Sequence, residues 1–172
     1  GLISLVKKYL PGVEVHASTQ LNIANLSSID WAIENGFQRA VIAREKDYKF
    51  LEKASEKDIE IEAFVHGALC YAVSGQCLMS SLIGERSGNR GTCAQPCRKM
   101  YDVYSDGKLL SEKIYAISEY DLNTLDSIDK LVGYVNSLKI EGRMKNPSYV
   151  YLITKLYKDK ILGIENTHRP DE

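Results

Sequence analysis

Four cysteines, Cys70, Cys77, Cys93 and Cys97, are the residues best suited to chemistry, and the chain has no others. Their spacing is C-x6-C-x15-C-x3-C, so all four fall in one short segment of a 172-residue chain. Thiols so gathered can be core hydrophobes, disulfide partners, a nucleophile or metal ligands. The core reading fits poorly, because Gly75, Gly84, Gly88 and Gly91 make the segment rich in turns. Disulfides require an oxidising compartment, of which the sequence carries no sign. Cys70 beside His66 could act as a catalytic thiol. Metal binding remains the leading reading. Structural zinc prefers paired C-x2–4-C knuckles, and only Cys93-Ala-Gln-Pro-Cys97 resembles one. Longer, unequal spacing suits thiolates at the corners of an iron–sulfur cluster. The spacing therefore favours a cluster and leaves zinc open.

The chain has to position these thiols. An apolar fraction of 44% can build a core, and a net charge of −1 excludes a globally basic nucleic-acid binder while allowing a local patch. No apolar run reaches the roughly 20 residues that span a bilayer, and Gly1-Leu-Ile-Ser-Leu-Val lacks the features of a signal peptide. A cytoplasmic location and no membrane partner are expected. The first residue is Gly rather than Met and helical spacing begins at Leu2, so a preceding portion is expected to be missing.

Helices are predicted over Leu2 to Leu10, from Ser27 to about Asn35 with Ser27 and Asp30 as a capping box, over Asp47 to Lys57, over Asp121 to Gly133, and from Asn146-Pro147 onward. The last helix should bury Val150, Ile153, Tyr157 and Ile161. Strands are predicted at Val13 to His16, Arg39 to Ala43, Glu60 to His66 and Asn136 to Ile140, with a hairpin joining Tyr101–Tyr104 to Lys113–Ile117 through Ser105-Asp-Gly107. Alternating strands and helices at this pitch predict parallel βα units. The fold class is thus α/β, either half of an eight-stranded barrel or a small open sheet, with the cysteine segment and the hairpin inserted. One unit is expected over residues 1–164, followed by a polar, loose tail over 165–172.

Chemistry in such folds gathers at the C-terminal ends of the strands. These ends hold His16 to Gln20, Arg44-Glu45, His66-Gly67 and Glu141-Gly-Arg143. Glu62 sits in a strand with Phe64 and His66 on its face, and a carboxylate there is costly unless paired. Glu62, His66 and Glu141 are the candidate catalytic groups. Ser18, Gln20, Asn89, Arg90, Arg98, Lys139 and Arg143 are candidate substrate contacts. Lys139 and Arg143 suit a carboxylate or phosphate. Arg86, Asn89, Arg90, Arg98 and Lys99 make the cysteine segment locally basic, which suits an RNA backbone or the counter-charge of an anionic cluster. A dyad of His66 with Ser74, Ser80 or Cys70 can be drawn, yet neither G-x-S-x-G nor H-E-x-x-H occurs.

Glu62, Phe64, Gly67, Cys70, Gly75, Cys77 and Ser80 together resemble the signature of the collagenase-like peptidase family of unknown catalytic type, peptidase family U32. The resemblance extends to His16-Ala-Ser-Thr-Gln-Leu-Asn, Asn89-Arg-Gly, Gln95-Pro-Cys-Arg98, Asp121-Leu and Lys139-Ile-Glu-Gly-Arg-Met-Lys145. It implies a 4Fe–4S cluster on Cys70, Cys77, Cys93 and Cys97 in the second half of a barrel-like domain. It implies hydroxylation of a tRNA or rRNA base, or of a small aromatic substrate, with prephenate as co-substrate in the tRNA branch. The missing first half of the barrel or a partner subunit would complete the unit. The family label itself implies a peptide hydrolase, and a zinc-stabilised binding module is a third expectation.

Overall fold

The computed structural model describes residues 1–164; the expected tail lies outside them. The elements in order are α1 (Leu2–Tyr9), β1 (His16–Ala17), α2 (Leu26–Glu34), β2 (Arg39–Val41), α3 (Tyr48–Ser55), β3 (Glu60–Ala68), α4 (Met79–Gly84), β4 (Tyr101–Ser105), β5 (Lys108–Ile114), β6 (Asp121–Asn123), α5 (Ile128–Val132), β7 (Ser137–Glu141) and α6 (Pro147–Ile161). Four strands form a parallel sheet in the order β1-β2-β3-β7. β6 pairs antiparallel with the C-terminal end of β3. The described sheet is open and closes no barrel.

The two faces of the sheet differ sharply. Ala40, Ile42, Ile61, Ala63 and Val65 face the helices and meet Ile29 and Ala32 of α2, Leu51 and Ala54 of α3, Ile128 and Leu131 of α5, and Tyr157 of α6. All are buried, and this is the core. The opposite face is charged. Arg39 donates to Glu60 at 2.6 Å and lies 3.5 Å from Glu62, which also binds Lys139 at 2.8 Å and accepts from the Ser137 hydroxyl at 3.0 Å.

Local chemistry explains where the elements begin and end. α2 is capped by Asn25, whose side chain accepts from the Ser28 amide while Ser28 returns the bond; this replaces the expected Ser27–Asp30 box. Gly36 takes φ +63 after α2, as a helix-ending glycine should. β1 starts at His16 rather than Val13, because the Gln38 side chain takes the Val15 amide at 2.7 Å. In the hairpin, Asp106 and Gly107 are both left-handed, so they form a two-residue turn and the return strand starts at Lys108 instead of Lys113. No helix starts at Asp121. Residues 121–123 pair with β3, Thr124 binds the Val65 carbonyl, and α5 follows. Asn146 caps α6 ahead of Pro147, as expected, but Ile161 is exposed.

Candidate functional site: a thiol-lined cavity over the strand ends

The cysteine segment leaves β3 and folds back over the C-terminal ends of the parallel strands. Gly67 makes the exit possible. Its φ is +101, and a Cβ there would lie 2.2 Å from the Glu141 carbonyl oxygen of β7. The loop then touches the turn after β2, where the Ser74 amide and hydroxyl donate to the two Glu45 carboxylate oxygens at 3.1 and 2.8 Å. Next it meets the segment after β1, where a Cβ on Gly75 would lie 2.9 Å from the Thr19 and Gln20 carbonyl oxygens.

The second pair of cysteines is tied to the first. Ser80, buried, accepts from the Ala94 amide at 3.0 Å. Arg143 from the end of β7 donates to the Gly91 carbonyl at 2.6 Å, and Arg86 donates to the Thr92 carbonyl at 3.0 Å. The Gln95 amide points at the Cys93 sulfur at 3.3 Å. Tyr101 of the hairpin donates to the Pro96 carbonyl at 2.8 Å.

These contacts enclose a cavity of about 300 Å³ lined by all four cysteines. Its walls include Ser18, Gln20, Asn89, Arg98, Lys139, Glu141 and Arg143. Burial pushes the Cys97 thiol up, and the neighbouring Cys70 and Cys93 thiols push it further, against a smaller opposing pull from Arg98. The thiols thus feel one another. No three His, Cys, Asp or Glu side chains among the described residues converge on a single-ion site.

Three expected candidates lie elsewhere. β3 carries an extra residue between the pairs Phe64–Lys139 and His66–Ile140. This bulge turns His66 away from the face of Phe64 and onto the helix side. There its Nε2 meets the Tyr149 hydroxyl at 2.9 Å and its Nδ1 the Tyr157 hydroxyl at 3.3 Å. Burial lowers the pKa of His66, with Asp121 opposing and Lys145 adding to the shift. Glu62 keeps the face expected of it but stays below the cavity, engaged by Lys139, Ser137 and Arg39. Arg90 is exposed and outside the lining.

The sequence named Arg44 and Glu45 only as strand-end residues; the structure gives both a place. The Arg44 guanidinium stacks 3.9 Å above the Phe64 ring and pairs with Glu141 at 3.2 Å, on the cavity wall. Burial lowers its pKa, partly offset by Glu141. Arg98 is held by Asp121 at 2.7 Å. The buried Nε atoms of both arginines have no partner among the described residues. An arginine directly following the apolar strand Ala40-Val-Ile-Ala43 was the available sequence signal.

The chain resembles proteins named for several activities. It is 39% identical over 169 residues to tRNA hydroxylation protein P1 of Bacillus subtilis, covering 93% of this chain and 40% of that protein. It is 38% identical to the 23S rRNA 5-hydroxycytidine C2501 synthase of Escherichia coli, over 90% of this chain and 24% of that one. It is 41% identical to a collagenase of Porphyromonas gingivalis, over 87% of this chain and 45% of that one. The chain spans less than half the length of each of these relatives. No solved structure matches it. The model of peptidase family U32 matches residues 1–172, carrying the cysteine segment and the strand ends beneath it, so the chain belongs to peptidase family U32.

Proposed function

We propose that this chain is the cluster-binding part of a cytoplasmic protein that hydroxylates a base in RNA, tRNA foremost, with Cys70, Cys77, Cys93 and Cys97 holding a 4Fe–4S cluster. The observation that carries the reading is four thiols around one cavity, with two half-buried arginines on its wall whose buried Nε atoms have no partner among the described residues. The donor set fits the group: four thiols line one cavity. When bound, the cluster would supply one-electron redox chemistry at the cavity.

The chain's own residues then have distinct tasks. Arg44 and Arg98 bring positive charge to an anionic centre. Glu141 holds Arg44 in place and is the expected carboxylate that reaches the cavity. Lys139 and Arg143 would receive an anionic co-substrate such as prephenate. Ser18, Gln20 and Asn89 offer neutral hydrogen bonds, and exposed Arg90 suits an RNA phosphate. Glu62 positions Lys139. The charged sheet face and helix-covered opposite face fit the second half of an eight-stranded barrel, completed by a preceding portion or by a partner subunit.

The names of the tRNA and rRNA relatives support the reading. The collagenase name points to hydrolysis, but the geometry favours it less. His66 faces two tyrosines on the helix side, away from the cavity walls to which Cys70, Ser74 and Ser80 belong, so it forms no nucleophile–base pair with any of the three.

Anaerobic purification tests the reading. A brown protein with iron and sulfide, bleached by dithionite, is expected, together with loss of the hydroxylated base from cellular RNA when all four cysteines are changed to Ser. A colourless protein with stoichiometric zinc overturns it. So does peptidase activity that survives the four substitutions.

A further inference from the structure

The loop joining Cys70 to Cys77 has its middle fastened before any metal is considered. Ser74 is 4% exposed and uses both of its donors on one carboxylate. Its amide reaches Glu45 Oε1 at 3.1 Å and its hydroxyl reaches Glu45 Oε2 at 2.8 Å. The same hydroxyl oxygen accepts from the Arg44 amide at 3.3 Å. A turn closed by the Gln76 amide on the Val73 carbonyl at 3.1 Å leads on to Cys77. Cys70 lies two residues beyond the end of β3 and is set by the strand. Gly75, at φ +78, passes so close to the Thr19 and Gln20 carbonyls that a Cβ there would clash with them.

We infer that Glu45 and Ser74 form a positioning clamp that presets the distance and direction between the Cys70 and Cys77 thiols. A six-residue linker left free would let Cys77 wander relative to Cys70. Fastening its midpoint to the turn that follows β2 removes that freedom in advance, so ligand entry need not order the loop. The carboxylate is suited to this because it offers two acceptor oxygens, one for each Ser74 donor, where a glutamine of the same length offers one oxygen and a donor amide. The clamp serves only one half of the thiol set, since Cys93 and Cys97 are held by Ser80, Arg143 and Tyr101.

The clamp rests on the proposed function only for what the thiols finally hold. The test therefore uses the protein with its metal removed. Site-resolved labelling with a neutral maleimide, read by mass spectrometry, gives one rate for each cysteine. For Glu45→Gln and Ser74→Ala the rates at Cys70 and Cys77 should rise several-fold, with Cys93 and Cys97 unchanged. Ser74→Thr, which keeps both donors, should restore the wild-type pattern. A merely structural role would speed all four thiols together. That outcome, or rates unchanged at every site, overturns the clamp; Ser74→Ala supplies the answer if the Glu45 variant does not fold. Iron uptake by the same wild-type sample is measured in parallel. Failure to bind iron sinks the cluster reading, while the labelling pattern still decides the clamp.

Discussion

At the scale of the residue, the charged sheet face depends on Glu62. It is 8% exposed and joins Lys139, Ser137 and Arg39. Burial raises its pKa, but the hydrogen bonds and charge of Lys139 lead a set of opposing effects that leave it below the usual carboxylate value. Glu45 behaves alike: burial raises it, and the bonds from Ser74 bring it below that value. A carboxylate with a lowered folded pKa stabilises the fold above its unfolded pKa, and that contribution disappears as pH falls through the folded value. Removing the Glu62 carboxylate also strands the partners of a nearly buried group. Glu62→Ala is expected to cost about 2 kcal/mol in urea unfolding at neutral pH. Glu62→Gln should flatten the acid limb of the stability profile below the ordinary carboxylate pKa. Unfolding midpoints unchanged in both variants would show that these ion pairs contribute nothing.

At the scale of the element, the site depends on how β3 ends. The bulge at Val65 sends His66 to α6, and Gly67 then lets β7 approach closely enough for the Cys70 loop to leave over the strand ends. Two glycine substitutions separate conformation from space. Gly91 has φ +77 with open space around it, so Gly91→Ala should cost about 1 kcal/mol, the left-handed penalty alone. Gly67→Ala adds a clash with backbone to a similar penalty and should cost at least about 3 kcal/mol. Thermal unfolding of the two variants checks this, and equal losses would show that β7 can retreat from β3. Much at this scale was legible in sequence. Apolar runs marked β2 and β3, Asn146-Pro147 marked the start of α6, and Gly36 marked the end of α2. The bulge was not, because nothing in Phe64-Val-His66 departs from ordinary alternation. The β6 pairing was hidden too, since residues 121–123 become a strand only because β3 offers them free backbone partners.

At the scale of the whole molecule, stability is unevenly spread. The core binds β2, β3 and β7 to four helices, whereas β4 and β5 pair, among the described residues, only with each other. Tyr104, Leu110 and Ile114 of that hairpin are exposed, and a lone two-stranded ribbon is marginal in water. Amides of Lys108–Ile114 are expected to exchange with solvent well before those of Ile61–Val65 in native-state hydrogen exchange. Comparable protection would mean that the hairpin unfolds only with the core.

The sequence alone determined the parallel βα pattern, the clustering of the thiols and their place after the third parallel strand, because periodicity, turn residues and cysteine spacing are local properties. It also carried the family resemblance. Tertiary structure decided which of the named side chains share a cavity. It kept His66 and Glu62 out of the lining, brought in Arg44, and fastened the cysteine loop to Glu45. Those outcomes depend on strand register, one bulge and contacts such as the 29-residue reach from Glu45 to Ser74, and no local pattern encodes them.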